Sequence, residues 1–255
     1  MVKVTDLTVV YGDFTAVKNI SFSLSPGEIV GFIGPNGSGK STTFRAIMNL
    51  IDIKHGTIFL NGINSKKNHA LKSIIGFLPE NFAVFPGFTG REYLNILGGL
   101  QGMTSELIAF RTSSFIDMFG LSDGIDKLVS EYSKGMKQKL GIIGAIMHKP
   151  KLLILDEPFN GLDHASIELT KSILNEYCKR GGTVLISSHI FELVEKISDR
   201  VLIIKDGSIA FDVSSSEYDE LLEKHSLGDL FQTLTGSIEL QQEIQQVIGE
   251  FYDHE

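Results

Sequence analysis

The chain has 255 residues, 42% of them hydrophobic, enough for a well-buried core in one large domain or a domain with an attached sub-domain. Its net charge of −8 and pI near 5.4 argue against a dedicated nucleic-acid binder, leaving open only a local basic patch. The lone cysteine, Cys178, excludes an internal disulfide, and with no apolar run near the roughly 18 residues of a membrane span and no signal-peptide core after Met1, any membrane role is expected to come through a partner.

Residues 2–10 alternate apolar and polar side chains (Val4, Leu7, Val9) up to Tyr11-Gly12, which predicts a strand and a turn. Residues 16–24 repeat the pattern, with Ile20, Phe22 and Leu24 on one face. Pro26-Gly27 then turns the chain into an apolar strand over 28–33. Directly after it come Gly34-Pro35-Asn36-Gly37-Ser38-Gly39-Lys40-Ser41, and Thr42 opens a helical pattern that runs to Met48. Strand, glycine-rich turn and helix is the setting in which G-x-x-x-x-G-K-[ST] holds nucleotide phosphates. Glycine reaches backbone angles at which successive N–H groups face inward, and the helix N-terminus adds the positive end of its dipole. Lys40 then reaches the β- and γ-phosphates, and the Ser41 hydroxyl sits on Mg²⁺.

Residues 57–62 read as a short strand and turn, and 73–78 as an apolar strand stopped by Pro79. From Thr89 to about His148 the character becomes helical. One helix covers 92–97, its end loosened by Gly98, Gly99 and Gly102; a second covers 106–119, closed by Gly120; Ser133 caps a third that runs to Lys149-Pro150. Strands return as fully apolar runs at 152–155 and 183–186, with a helix over 167–179 between them, the pattern of a parallel sheet covered on both faces. Residues 201–204 and 208–210 form a closing hairpin around Asp206-Gly207. The tail from Ser214 is expected to be mostly helical.

The strand at 152–155 ends in Asp156 and Glu157. By themselves such acids also fit a solvated loop closing a core strand. Downstream of a phosphate loop, Asp156 can hold Mg²⁺ through water, and Glu157 can orient or deprotonate the attacking water.

Here the chain resembles the ATP-binding subunit of an ABC transporter, over nearly all of residues 1–236. Tyr11 stands 23 residues before Gly34, where such domains stack an aromatic ring on adenine. Glu80, after Gly76-Phe77-Leu78-Pro79, occupies the Q-loop position; Tyr132-Ser133-Lys134-Gly135-Met136 matches the signature usually written LSGGQ. Gly161-Leu162-Asp163 resembles the D-loop, and Ser187-Ser188-His189 the switch histidine. The resemblance implies an α/β fold: a P-loop NTPase core with a mixed or parallel sheet, an N-terminal antiparallel β sub-domain, and an α-helical sub-domain at about 82–149. It implies ATP and Mg²⁺ as cofactors, with Ser41, Glu80 and Asp156 at the metal and Lys40, Glu157 and His189 in catalysis.

It also implies that two such domains, as a homodimer or heterodimer, pair head to tail. Each ATP would lie between one phosphate loop and the other copy's Ser133 and Gly135, with Asp163 linking the two sites and His189 contacting the γ-phosphate. Two departures stand out. Glu80 replaces a glutamine and adds negative charge near the phosphates. In the signature, Tyr132, Lys134 and Met136 replace Leu, Gly and Gln, and Lys134 either pairs with ATP or faces solvent. Both departures, and the phrase TGREYL, are similar to exporter subunits that serve type-2 permeases. A separate transmembrane permease is then the partner, at the cytoplasmic face of the membrane, with no nucleic acid involved.

Phe82, Phe85 and Phe88 either seal the helical sub-domain or meet that permease. The C-terminal stretch 237–255 carries Leu240, Ile244, Val247, Ile248 and Phe251 at helical spacing, an amphipathic helix that packs on its own domain or docks a partner. Competing readings are a soluble ABC ATPase working on nucleic acid or ribosomes, and an ABC subunit moving ions or lipids. The first normally needs two cassettes or a long coiled-coil insertion, and this chain has one phosphate loop and only 60-odd residues between Glu80 and Pro150. A guanine-reading N-K-x-D motif is absent from the sequence.

Overall fold

Two kinds of strand pattern give two sheets. The computed structural model describes residues 1–67, 69–82, 86–214 and 228. Its elements begin with β1 (Val2–Tyr11), β2 (Phe14–Leu24), β3 (Ile29–Ile33), α1 (Lys40–Ile47), β4 (His55–Leu60), β5 (Ile63–Asn64) and β6 (Ile75–Leu78). They continue with α2 (Gly90–Leu100), α3 (Ser105–Met118), α4 (Lys134–Ile146), β7 (Leu152–Asp156) and α5 (His164–Lys179). β8 (Thr183–Ser187), α6 (Phe191–Ile197), β9 (Arg200–Lys205) and β10 (Ser208–Ser214) complete the described chain.

The alternating strands form an antiparallel sheet in the order β2-β1-β4-β5, and the apolar ones a sheet in the order β10-β9-β3-β8-β7-β6. In the second sheet β6, β7, β8, β3 and β9 are parallel, and only β10 runs against its neighbour. Of the mixed or parallel sheet that the resemblance implies, it is the mixed one, with the expected antiparallel sheet beside it. The continuous apolar runs bury both faces. Leu152 and Ile154 of β7 point into a core shared with the antiparallel sheet and α1, whereas Leu153 and Leu155 point into one shared with α2 to α5. Phe22, Phe32 and Phe44 stack at tilted angles through the first core and fix α1 beneath β3.

The hairpin turn at Asp206-Gly207 has φ of 50° and 80°, the two left-handed residues that a two-residue hairpin loop requires. Arg200, at the start of β9, bonds Asp212 with both arms of its guanidinium and donates to Ser23 O, so one side chain ties the hairpin to β2.

Several expectations need correction. The strand expected over 73–78 is shorter, because Ser73 and Ile74 belong to a 3₁₀ turn and only Ile75–Leu78 pair with β7. Gly98 and Gly99 do not loosen α2, which runs on to Leu100. Gly98 is instead the point of close approach to α3: a Cβ there would lie 2.4 Å from Ile108. Helix α5 starts three residues earlier than expected, capped by Asp163. The seven-residue α6 and two-residue β5 are too short to carry a periodic signal. The expected C-terminal helix, and Phe85, lie outside the described residues.

Gly76 of β6 lies against α4, and a Cβ there would sit 2.0 Å from the Ala145 carbonyl oxygen, a backbone atom no rotamer change can move. Gly76→Ala should therefore destabilise the fold by about 1–3 kcal/mol, read as a lower urea midpoint at unchanged slope. An unchanged midpoint would refute this close contact.

Candidate nucleotide-binding site

The site forms at the carboxyl ends of the parallel strands, where β3 gives way to the phosphate loop and β7 to Asp156-Glu157. Gly39 is the N-cap of α1 with φ of 109°, and a Cβ on it would lie 2.7 Å from Ala16 O; a Cβ on Gly34 would lie 2.2 Å from Ile204 O. The loop is thus wedged between β2 and β9, with no room for a side chain at either position. Gly207 of the hairpin turn donates to Ser38 O at 3.0 Å and accepts from Lys18 N at 2.7 Å, bracing the loop from behind.

Lys40 is buried, and its Nζ donates to Gly34 O at 2.6 Å and Pro35 O at 3.1 Å. Burial pulls its ammonium below the usual lysine range, while the carboxylates of Glu157, Asp156 and Glu80 push the other way. Ser41 Oγ donates to Asp156 Oδ2 at 2.8 Å, so the hydroxyl and the carboxylate expected at the metal already converge. The other carboxylate oxygen, Oδ1, accepts from Ser187 Oγ at the end of β8.

Glu157 is the strained residue of the site. It is only 2% exposed and has φ of 54°, a left-handed conformation uncommon for glutamate. Three contacts hold it there: its N–H donates to Ser187 O and Oγ, and its carbonyl accepts from Gln138 Nε2 of α4 at 3.0 Å. Its Oε2 accepts from His189 N at 3.2 Å. The His189 ring Nε2 lies 3.2 Å from Oε1 but out of line for a hydrogen bond, which leaves Oε1 a buried oxygen with its acceptor capacity unspent. Burial raises the carboxyl above the ordinary range, and the nearby His189 opposes that rise.

A cleft of about 400 Å³ gathers these groups. Tyr11, Asn36, Gly37, Gly39, Lys40, Ser41, Thr42, Glu80, Asp156, Glu157 and His189 all line it. Phe14 and Ala16 line it too; sequence reading passed over both, although Phe14 is the direct cross-strand partner of Tyr11 and 63% exposed. Ser187 and Gln138 were likewise unassigned. Their only signal was position, one beside His189 and one in the signature helix, because their partners lie 31 and 19 residues away.

The remaining expected residues do not reach this cleft. Ser133 caps α4, accepting from Met136 N at 3.2 Å, and Gly135 stands against the D-loop, where a Cβ would lie 2.5 Å from Gly161 O. Lys134 lies along Gly161, and Asp163 caps α5 through Ser166 N and pairs with Lys139. Those bonds hold the Asp163 carboxyl down at about 2. Ser133, Lys134, Gly135 and Asp163 thus form a second polar cluster, apart from the cleft.

The donor set suits a magnesium nucleotide. Ser41 and Asp156 offer hard oxygens, joined by Glu80 on the cleft wall; the glycine cradle admits phosphate where a Cβ would exclude it, and Glu157 Oε1 is a free buried acceptor.

The family model described as ABC transporter matches residues 17–160. A second, described as AAA domain, putative AbiEii toxin, Type IV TA system, matches the shorter stretch 127–195. The chain is 37% identical over 232 residues to the bacitracin transport ATP-binding protein BcrA of Enterococcus faecalis, covering 90% of this chain and 74% of BcrA. It is 35% identical to the ABC-type transporter ATP-binding protein EcsA of Bacillus subtilis (strain 168), covering 92% and 96%. Among solved structures it superposes on an ATP binding subunit of an ABC transporter with a TM-score of 0.86 and 29% identity, covering 92% of this chain and 99% of that one.

Proposed function

Because this chain belongs to the ABC transporter ATP-binding family, we propose that it is the ATP-hydrolysing half of an exporter, closing with a second cassette around two ATP–Mg²⁺ and driving a separate membrane permease. It is an ATPase of that family, and none of its described helices is long and apolar enough to cross a membrane. In this reading the pathway for cargo belongs to the permease, and this subunit sits at the cytoplasmic face through it. Bacitracin transport in BcrA, and the exporter-like signature, support outward movement of a drug or peptide.

One observation carries the pairing. The expected nucleotide contacts divide into a cleft holding the phosphate loop, Asp156, Glu157 and His189, and a separate cluster of Ser133, Lys134, Gly135 and Asp163. A single copy offers each ATP only half its contacts, so a second copy supplies the rest.

In the cleft Lys40 and the loop N–H groups neutralise the phosphates, and Tyr11 with Phe14 covers the base. Ser41, Asp156 and Glu80 would hold Mg²⁺, which supplies positive charge to the phosphate oxygens. Water attacks the γ-phosphorus as the bond to the β-phosphate oxygen breaks. Glu157 Oε1 takes the water proton, and the phosphate oxygen leaves with ADP. His189, held by its N–H on Glu157 Oε2, keeps the ring beside the reacting oxygens.

The test is complementation. Lys40→Ala spoils the cleft and Ser133→Phe the second cluster, so each variant alone lacks any complete site. Mixed, they form heterodimers with one intact site, and hydrolysis should return. Wild-type turnover by Ser133→Phe alone would overturn the reading.

Ser187→Ala removes the hydroxyl that orients Asp156 and receives the Glu157 N–H. The Mg²⁺ concentration giving half-maximal hydrolysis should rise about tenfold, as when the outer partner of a metal ligand is lost. An unchanged Mg²⁺ titration would mean that Ser187 has no hold on the metal ligand.

A further inference from the structure

A second cleft, of about 850 Å³, lies at the opposite end of the mixed sheet from the nucleotide site. It opens at the amino ends of the parallel strands, where Pro26 precedes β3, Lys151 precedes β7 and Gly182 precedes β8, and α3 forms its far wall. Phe110 of α3 is 80% exposed on its rim, with Phe115 behind it. Four cations line it, Arg111, Lys149, Lys151 and Arg180, and among the described residues no acidic one does. Arg180 pairs with Glu176 along its own helix, and Arg111 donates to Met147 O; Lys149 and Lys151 are exposed and form no ion pair among the described residues.

The charge of the chain is distributed unevenly in a way that matches this cleft. Residues 215–255 carry ten Asp and Glu against one Lys, whereas residues 1–214 carry 21 Asp and Glu against 22 Lys and Arg. The part beyond β10 is therefore −9 and the rest of the chain +1. That stretch also holds the apolar series Leu240, Ile244, Val247, Ile248 and Phe251, with Glu239, Glu243 and Glu250 interleaved.

The place where β10 ends brings the two together. Ser214 is the register partner of Arg200, whose guanidinium bonds Ser23 O, three residues from Pro26 on the cleft edge. Three strand positions separate β10 from β8, about 15 Å at 4.8 Å per strand, and the 25 residues 215–239 are enough chain to cover that distance, reaching about 37 Å even at the 1.5 Å rise of a helix. A segment tethered this way meets the cleft at millimolar effective concentration, well above a second copy in dilute solution.

We propose that the acidic C-terminal segment of the same chain occupies this cleft, with the apolar series of 240–251 against Phe110 and Phe115 and the interleaved glutamates facing Lys149 and Lys151. This goes beyond the ATPase reading and does not depend on it, since the cleft and the nucleotide site share no residue. Because its walls come from α3, the turn before β3 and the end of α5, a segment lying in it links the helical layer to both sheets.

The experiment uses the full-length protein. A nitroxide on Ser114→Cys, in the cleft wall, is introduced selectively because Cys178 is buried and its thiol is pushed up to about 12. Amide signals of 239–251 in the ¹⁵N-labelled chain should lose most of their intensity and recover when the nitroxide is reduced. Lys149→Glu with Lys151→Glu should abolish that loss, and adding Glu239→Lys with Glu243→Lys should restore it. ATP affinity serves as the folding control, because neither lysine touches the nucleotide cleft. Full tail intensity in the spin-labelled wild type would overturn the proposal. So would a loss seen only when unlabelled spin-bearing chains are mixed with ¹⁵N chains, since the tail would then be that of a second copy.

Discussion

Replacing Glu157 by Gln is expected to slow ATP hydrolysis by about 10²- to 10⁴-fold, while ATP still binds. The backbone at Glu157 is held in its left-handed conformation by Ser187 and Gln138 through main-chain atoms, and glutamine leaves all three bonds in place. The side chain keeps its volume and an oxygen, but it loses the capacity to take a proton. Burial already pushes the Glu157 carboxyl upward, which makes it a stronger base than an exposed glutamate would be. The change therefore removes basicity and little else. With the γ-phosphate uncut, the two cassettes should stay closed, so the variant with ATP and Mg²⁺ should sediment as a dimer when the wild type has returned to monomer. Single-turnover kinetics and analytical ultracentrifugation read the two effects separately. Wild-type turnover would assign the proton to another group; slow turnover without a stable dimer would leave the chemistry standing and remove the pairing.

Lys40→Ala should act one step earlier, on binding. The ammonium is buried at the mouth of the phosphate loop, its protons directed to Gly34 O and Pro35 O, among the oxygens that precede the phosphate cradle. Truncating one partner of a buried, hydrogen-bonded charge pair costs about 2–5 kcal/mol, so ATP affinity should fall by at least about 30-fold. The fold should survive, because Phe32, Phe44 and Ile47 anchor α1 in the core without any help from Lys40. Titration calorimetry gives the affinity and circular dichroism the fold. ATP bound as tightly as by the wild type would contradict the assignment of the loop.

Together the two variants separate holding the triphosphate from cutting it. That separation is built into the geometry: Lys40 belongs to the segment after β3, Glu157 to the segment after β7, and they face each other across one cleft. Gln138 adds a connection that neither motif contains. It projects from α4, five residues after Ser133, and fixes the Glu157 carbonyl, so the helix that presents the second polar cluster also sets the backbone of the base.

Much of this was legible residue by residue because its causes are local. Glycines at 37 and 39 announce a backbone that other residues resist, apolar runs at 152–155 and 183–186 announce strands covered on both faces, and Ser133 announces a helix start. Each depends on interactions within a few residues, which a linear string records directly. The short α6 and β5 were lost for the same reason, since seven residues make fewer than two helical turns and two residues a single strand period, too little for a repeat to show.

The rest was decided by tertiary structure, because it depends on pairs far apart in the chain. Nothing near Ser187 indicates that it bonds Asp156, 31 residues earlier; parallel pairing of β7 with β8 sets Asp156 beside it. Nothing near Ser133 or Asp163 shows that they stand apart from the cleft, or that four cations from three distant segments share one wall, with no acid among its described residues, at the far end of the sheet. The amino-acid order by itself determined which groups exist and which backbone shapes they adopt, since those are short-range matters of sterics and solvation. Which groups face one another was determined only when strand pairing and helix packing closed the long loops between them.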